Sequence, residues 1–349
     1  MFYNLPKSTY ITGFEWVGER VPYPEKEIKG DTYPMTWASD GEIYASSGDP
    51  TWGESASGLD VEKFTGGAED YTITKYNPMN DYLGWGGNGE KPTGMICVDG
   101  VLYLAFQNFL KGGRTPWSAQ SQAGADAHIV RAAVKWNQWY PSRAAIKEPM
   151  FPGYKFGGPA FINFGKDNEN ARDDFVYAVS SDQWDNGSNV RLGRVPKDRI
   201  DVDNGAYWEF VCAFGQDGAP VWRRSLDDAI PILSIHKFMG LPEMVYLADI
   251  KRYLFLTWRL HGDFNPNMGT DLLILEAPNP WGPFSFVYYE ELWQGKEFTP
   301  YSPRIPLKWM DPGHRSGWLQ FSGSWSHQTL PSGELGYYRS NIRKFQLEL

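Results

Sequence analysis

Apolar and polar positions alternate along the chain in short runs bounded by Gly, Pro, Asn and Asp, and long stretches of helical period are almost absent. Two runs match closely: Trp37-Ala-Ser-Asp-Gly-Glu-Ile-Tyr44 and Ile96-Cys-Val-Asp-Gly-Val-Leu-Tyr103. Each reads as an apolar strand, an Asp-Gly turn and an apolar or aromatic return strand. Looser copies occupy 161–179, 243–258 and 304–322, and place Tyr44, Tyr103, Tyr177, Phe255 and Phe321 at equivalent return positions. Successive positions lie about 60–80 residues apart, so five units of about 70 residues account for the chain as one domain over 1–349. A hairpin plus outer strands, as in 206–214 and 283–293, repeated at this length predicts an all-β, five-bladed propeller with four-stranded antiparallel blades.

Composition supports an ordered, turn-rich protein. Among 349 residues are 37 glycines and 25 prolines, well under the share that marks disorder. The 16 Trp, 20 Tyr and 20 Phe suit packing between blades, where a flat ring buries much area and a polar tip reaches an edge. A formal net charge of −9 with scattered Lys and Arg leaves no basic stripe for nucleic acid. No apolar run has the ~18–20 residues of a membrane span. The opening MFYNLPKSTYITG lacks the basic and apolar regions of a signal peptide, so an intracellular protein is the default expectation, with secretion the alternative if a leader has been removed. Cys97 and Cys212 have no metal or redox spacing, and Cys97, alternating within a strand, reads as a buried thiol.

Propeller geometry then places the candidate chemistry. The start of a blade's first strand and the end of its second share one rim. In blade 1, Asp31 lies about nine residues before the Asp40-Gly41 turn and Asp49 about eight after it, which sets two carboxylates across from each other. Carboxylates at that range push their pKa values apart, as acid/base or nucleophile/acid cleavage of a glycosidic bond requires. The same mirror operation adds Asn108 from blade 2, Asp182 with Trp184 from blade 3, Glu243 with Trp258, Arg259 and His261 from blade 4, and Arg304 from blade 5. Aromatic platforms, hydroxyl-binding polar groups and an acid pair form a sugar site, with Trp37, Trp52, Asn108, Asp182, Arg259 and Arg304 as expected substrate contacts and Glu243 as a third catalytic carboxyl.

Each of these residues also has a plain structural reading. Asp40 and Asp99 are turn residues. Asp31 is placed to hydrogen-bond a loop, Asp49 in Ser-Gly-Asp-Pro reads as an ordinary turn acid, and Arg304 is placed to serve as counter-ion to Glu243, whose unpaired burial would be costly. His236 and His261 lack metal-ligand spacing and read as surface or packing residues. The runs Gly84–Gly89 and Gly157-Gly158 fit no phosphate-loop spacing, and Walker, Rossmann, nucleophile-elbow and zinc signatures are missing.

Three segments carry a resemblance: GDTYPMTWASDGEIYASSGD (30–49), MFPGYKFGGPAFINFGKDNENARDDFVYAVSSD (150–182) and RVPKDRIDVDNGAYWEFVCAF (194–214). Together they resemble a bacterial family of five-bladed propellers, long catalogued as a domain of unknown function, that includes endo-D-arabinanases. The family is related in architecture to the arabinanase, levansucrase and invertase group. The most specific part is Phe-Ile-Asn-Phe-Gly-Lys-Asp at 161–167. The resemblance implies a glycoside hydrolase acting on furanose polymers, with the Asp pair of blade 1 implicated, here Asp31 and Asp49. It implies an oligo- or polysaccharide substrate and no required cofactor, with structural Ca²⁺ in the central channel as an option. Two departures stand out: 127–142 lacks the Asp and Gly of an edge hairpin, and 50–90 is a long insert carrying Trp52 and Trp85. The alternative from another class is a non-catalytic carbohydrate-binding propeller, which would tolerate loss of either Asp.

Overall fold

The computed structural model describes residues 4–25, 27–50, 58–83, 89–107, 125–133, 138–262, 269–295, 298–323 and 338–349. The protein is a five-bladed antiparallel β-propeller. Strand β1 (Gly13–Pro22) joins the last blade, and the chain then builds the blades in order. Blade 1 is β2 (Met35–Trp37), β3 (Ile43–Gly48), β4 (Leu59–Thr65) and β5 (Thr72–Pro78), innermost first. Blade 2 is β6 (Lys91–Val98), β7 (Val101–Gln107) and β8 (His128–Ala133). Its outer edge is held by isolated bridges, Arg131 to Tyr140 and Ala127 to Phe151, because Pro141 and Pro152 beside them cannot donate to a continuous ladder.

Blade 3 runs from β9 (Pro159–Phe161) through β10 (Phe175–Ser181), β11 (Gly187–Pro196) and β12 (Glu209–Phe214), with β13 (Pro220–Arg223) outside them. A further strand, β14 (Leu233–Met239), pairs back onto β11. Blade 4 is β15 (Glu243–Leu247), β16 (Arg252–Leu260), β17 (Thr270–Ala277) and β18 (Ser285–Glu290). Blade 5 is β19 (Tyr301–Arg304), β20 (Ser316–Ser322) and β21 (Ser340–Glu348), completed by β1 from the start of the chain. Tyr44, Tyr103, Tyr177, Phe255 and Phe321 all fall on the second strand of their blades.

Apolar clusters fill the spaces between neighbouring blades, and strand alternation explains how. On β6, Met95 and Cys97 pack toward Tyr44 and Val61 of blade 1, while Ile96 and Val98 pack toward Val176 and Ala178 of blade 3. A strand covered on both faces is buried at every position, as β6 and β17 are. The β6–β7 turn is the two-residue Asp99-Gly100, both at positive φ (50° and 77°), the conformation the dipeptide favours. Cys97 is buried and its thiol donates to Asp167 Oδ1 at 3.0 Å.

Near the axis, polar side chains tie inner strands together. Asn163, in the segment that carries the family resemblance, donates through Nδ2 to the Met35 carbonyl of blade 1 and the Met95 carbonyl of blade 2, at 3.3 and 3.2 Å. Its own carbonyl accepts from Tyr246 N of blade 4 at 3.0 Å. Among the described residues no helix is long and apolar enough to cross a membrane.

Candidate active site

The site is built where β2 and β3 meet the rim away from their turn. Asp31 and Gly48 exchange two backbone hydrogen bonds, each 3.0 Å, so Asp31 and Asp49 leave adjacent strands side by side. Thr32 (φ 61°), Tyr33 (φ 39°), Asp49 (φ 46°) and, on blade 5, Ser302 (φ 50°) all hold left-handed backbone. Such strain costs of order 1–3 kcal/mol per residue and gathers where a fold must aim side chains for function.

The two carboxyls have different partners. Lys91, first residue of β6, places its buried ammonium 2.7 Å from Asp49 Oδ1. Tyr301, first residue of β19, donates its hydroxyl to Asp31 Oδ2 at 2.8 Å, and Tyr338 sits beside the same carboxyl. Asp31 Oδ1 lies over Gly48 with no hydrogen-bond partner among the described residues. Burial first, and then the negative charge of Asp49, push the Asp31 carboxyl up to about 7, against the opposing pull of Lys91 and Tyr301.

Below this pair, Arg304 at the end of β19 is fully buried and reaches across three blades. Its Nε donates to Thr32 O at 3.0 Å, and its Nη1 donates to Pro242 O at 3.0 Å and Glu243 Oε2 at 2.9 Å. Its Nη2 has no hydrogen-bond partner among the described residues. Burial pushes Glu243 up to about 7 even with this guanidinium alongside. Behind Asp31, Glu62 on β4 accepts from Ser47 Oγ at 2.9 Å, and burial pushes it up to about 8. An apolar wall of Trp184, Leu241, Trp258 and Tyr301 flanks the mouth.

The structure therefore brings Asp31, Asp49, Glu243 and Arg304 together, and leaves the other expected contacts elsewhere. Trp37 pairs with Ile43 beside the turn, at the far end of the hairpin, and donates its indole N–H to Gly41 O at 3.1 Å. Being three residues from Asp40, it belongs to the opposite face by the same counting that selected Asp31. Asp182 reaches the mouth end of β10 but its carboxylate is engaged locally, by Ser188 N, Asn189 N and Asn189 Nδ2. Arg259 pairs with the buried Asp271 at 2.8 Å, which also holds His261 Nδ1 at 2.8 Å, so both side chains are directed to blade 4. Trp52 and Asn108 lie outside the described residues.

Lys91, Tyr301 and Glu62 were not selected from the sequence. The mirror rule reaches the first two, since each opens the innermost strand of its blade; Glu62 is visible only once β4 is registered on β3. Among the described residues no three His, Cys, Asp or Glu side chains converge as a metal site. The axial carbonyls of Met35, Met95 and Phe161, which a channel cation would use, accept instead from Asn163 Nδ2. The described residues do not fit a calcium ligand set.

No protein-family model matches the sequence, and no curated protein does. Solved structures match in fold. An α-L-arabinofuranosidase from Podospora anserina, in complex with cellotriose, superposes with a TM-score of 0.53 at 12% identity, covering 99% of this chain and 98% of that one. A xylan β-1,4-xylosidase from Bacillus halodurans gives 0.55 at 12%, covering 94% of this chain and 54% of that one. The Bacteroides ovatus xyloglucan PUL protein GH43B gives 0.52 at 15%, covering 93% and 54%. At these identities the likeness shows the propeller fold.

Proposed function

We propose that the protein is a glycoside hydrolase acting on a furanoside-containing glycan, such as an arabinan, at the mouth formed by Asp31, Asp49 and Glu243. The observation that carries the reading is the asymmetry within one pair: Lys91 contacts Asp49 directly, while Asp31 is buried against Gly48 and Tyr301. Different surroundings for two neighbouring carboxyls are how acid and base roles are divided. Asp31, holding its proton up to about pH 7, donates it to the leaving glycosidic oxygen. Asp49, in direct contact with the Lys91 ammonium at 2.7 Å, faces the positive charge that develops at the anomeric carbon. It acts as nucleophile if the product keeps its anomeric configuration and as base for water if the product inverts. Glu243 and Arg304 brace the floor, and Glu243 is the competing choice for the proton donor.

That the solved structures of like fold include an arabinofuranosidase and a xylosidase supports this reading. Leaving-group dependence tests the assignment of the acid. With Asp31→Asn, an aryl furanoside whose phenol leaves without protonation retains most of its turnover, while a natural glycosidic bond loses roughly 10²–10⁴-fold. If Glu243→Gln shows that pattern and Asp31→Asn does not, Glu243 is the acid.

A further inference from the structure

Two cavities of about 380 Å³ each lie side by side on the outside of the propeller, where blade 2 meets blade 3. Met150 lines both, and Asn204 of the first is followed in the chain by Gly205 of the second, so together they form one interrupted groove. Each is within the ~300–1,000 Å³ of small-ligand sites. The groove is remote from Asp31. It borders the β11–β12 connection, which leaves β11 from the Phe175–Pro196 end of the ladder, and Asp182 lies beyond the other end.

The first cavity is walled by Tyr140, whose side chain is 64% exposed, the highest value among the large apolar and aromatic residues described as exposed. Its ring does not float. Tyr140 is bridged through its backbone to Arg131, the Arg131 guanidinium lies 5.4 Å from the ring centroid, and that guanidinium is pinned by Asp201 at 2.7 Å. Asp201 and the exposed Asn204 line the same cavity, alongside Lys147 and Glu148. The second cavity has an apolar floor that includes Phe151 and Trp208 and a rim with Arg224 and Asp227.

We infer that this groove is a second, non-catalytic binding site for a stretch of neutral glycan chain, with the Tyr140 ring as its sugar platform. A rigid ring presented to solvent with amide and carboxylate groups beside it stacks on the C–H face of a sugar while the polar groups take hydroxyls. Each cavity is lined by side chains of both charge signs, Lys147 with Glu148 and Asp201 in the first and Arg224 with Asp227 in the second, which suits an uncharged polyol and disfavours a phosphate or a uronic-acid polymer. Two cavities in line fit a chain of several residues better than one sugar. The inference rests on the glycan reading of the mouth, and a second contact on the same polymer would raise the concentration of chain ends or branches near the mouth.

The test is retardation in native gels containing soluble D-arabinan, L-arabinan or levan, using the Asp49→Asn protein so that the polymer survives. Tyr140→Ala and Asn204→Ala are made in that background and in the wild type, with circular dichroism melts to confirm folding. At least one polymer is expected to retard Asp49→Asn, with Tyr140→Ala weakening the apparent affinity roughly tenfold. In the wild-type background, Tyr140→Ala lowers turnover of polymer but not of a short aryl furanoside. Retardation unchanged by Tyr140→Ala, or absent with every polymer, overturns the inference. Tyr140-dependent retardation without any hydrolysis keeps this site and rejects the hydrolase reading; hydrolysis with Tyr140-independent retardation does the reverse.

Discussion

Asp31 and Gly48 face each other across the first hairpin through a reciprocal pair of 3.0 Å backbone hydrogen bonds, and the Asp31 carboxyl lies directly over the Gly48 α-carbon. A β-carbon at position 48 would land inside the contact radius of Asp31 Oδ1 and close to Lys91. Gly48→Ala is therefore expected to displace the carboxyl while leaving the ladder paired. Turnover should fall at least about 100-fold with only a modest change in the thermal midpoint, because small displacements of a reacting group are costly. Steady-state kinetics beside a thermal melt checks this.

The Tyr301 hydroxyl and the Asp31 carboxyl share a 2.8 Å hydrogen bond that bears on the proposed acid. The phenol donates to the charged form of Asp31 and so holds its pKa down; removing it lets that pKa rise above about 7. If protonated Asp31 is the acid, activity is lost as pH rises through its pKa. Tyr301→Phe is then expected to move the basic limb of the kcat/KM profile upward by about one pH unit, the size of one charge-assisted hydrogen bond. A basic limb that stays in place dissociates Asp31 from the proton transfer.

Arg304 and Glu243 form a buried ion pair at 2.9 Å, in which the guanidinium also serves two carbonyls. Removing one partner strands the other charge away from water. Arg304→Met should cost about 3–5 kcal/mol in denaturant unfolding. The double variant Arg304→Met/Glu243→Gln should recover part of that loss, since no buried carboxylate is then left unpaired.

Much of this arrangement is legible along the chain. Asp40-Gly41 and Asp99-Gly100 mark their turns, and counting outward from the first of them reaches Asp31 and Asp49, because a hairpin's register is fixed by its turn. What counting cannot supply is the partner on another blade. Lys91 meets Asp49 through the packing of blade 2 on blade 1, and Tyr301 of blade 5 meets Asp31 of blade 1 only because the ring closes, with β1 from the start of the chain completing blade 5. Trp37 shows the opposite failure: an aromatic side chain drew attention to a position that the register puts beside the turn. Arg259 faces Asp271 through the β16–β17 pairing, whose connection over 261–269 is rich in turn residues but too long for a tight turn to set the register.

Glu62 gives a prediction about stability. Its folded-state pKa of about 8 lies above its ordinary 4.5, so between those values the native protein holds a proton that the unfolded chain has released. Stability attributable to this group is therefore retained at low pH and falls as pH rises toward 8. Glu62→Gln, which keeps an acceptor for Ser47, is expected to be the more stable protein at pH 8, by on the order of 2–4 kcal/mol, and nearly equal to wild type at pH 5. Thermal melts at the two pH values decide it.

The most direct measurement is reducing-end release from D-arabinan, L-arabinan and fructans by the wild type beside Asp31→Asn and Asp49→Asn, all shown to be folded. Release by the wild type from at least one furanose polymer is expected, with loss of that release in both variants. Undiminished release in both variants, or no release from any polymer by the folded wild type, would contradict the claim that this carboxyl pair cleaves a furanoside.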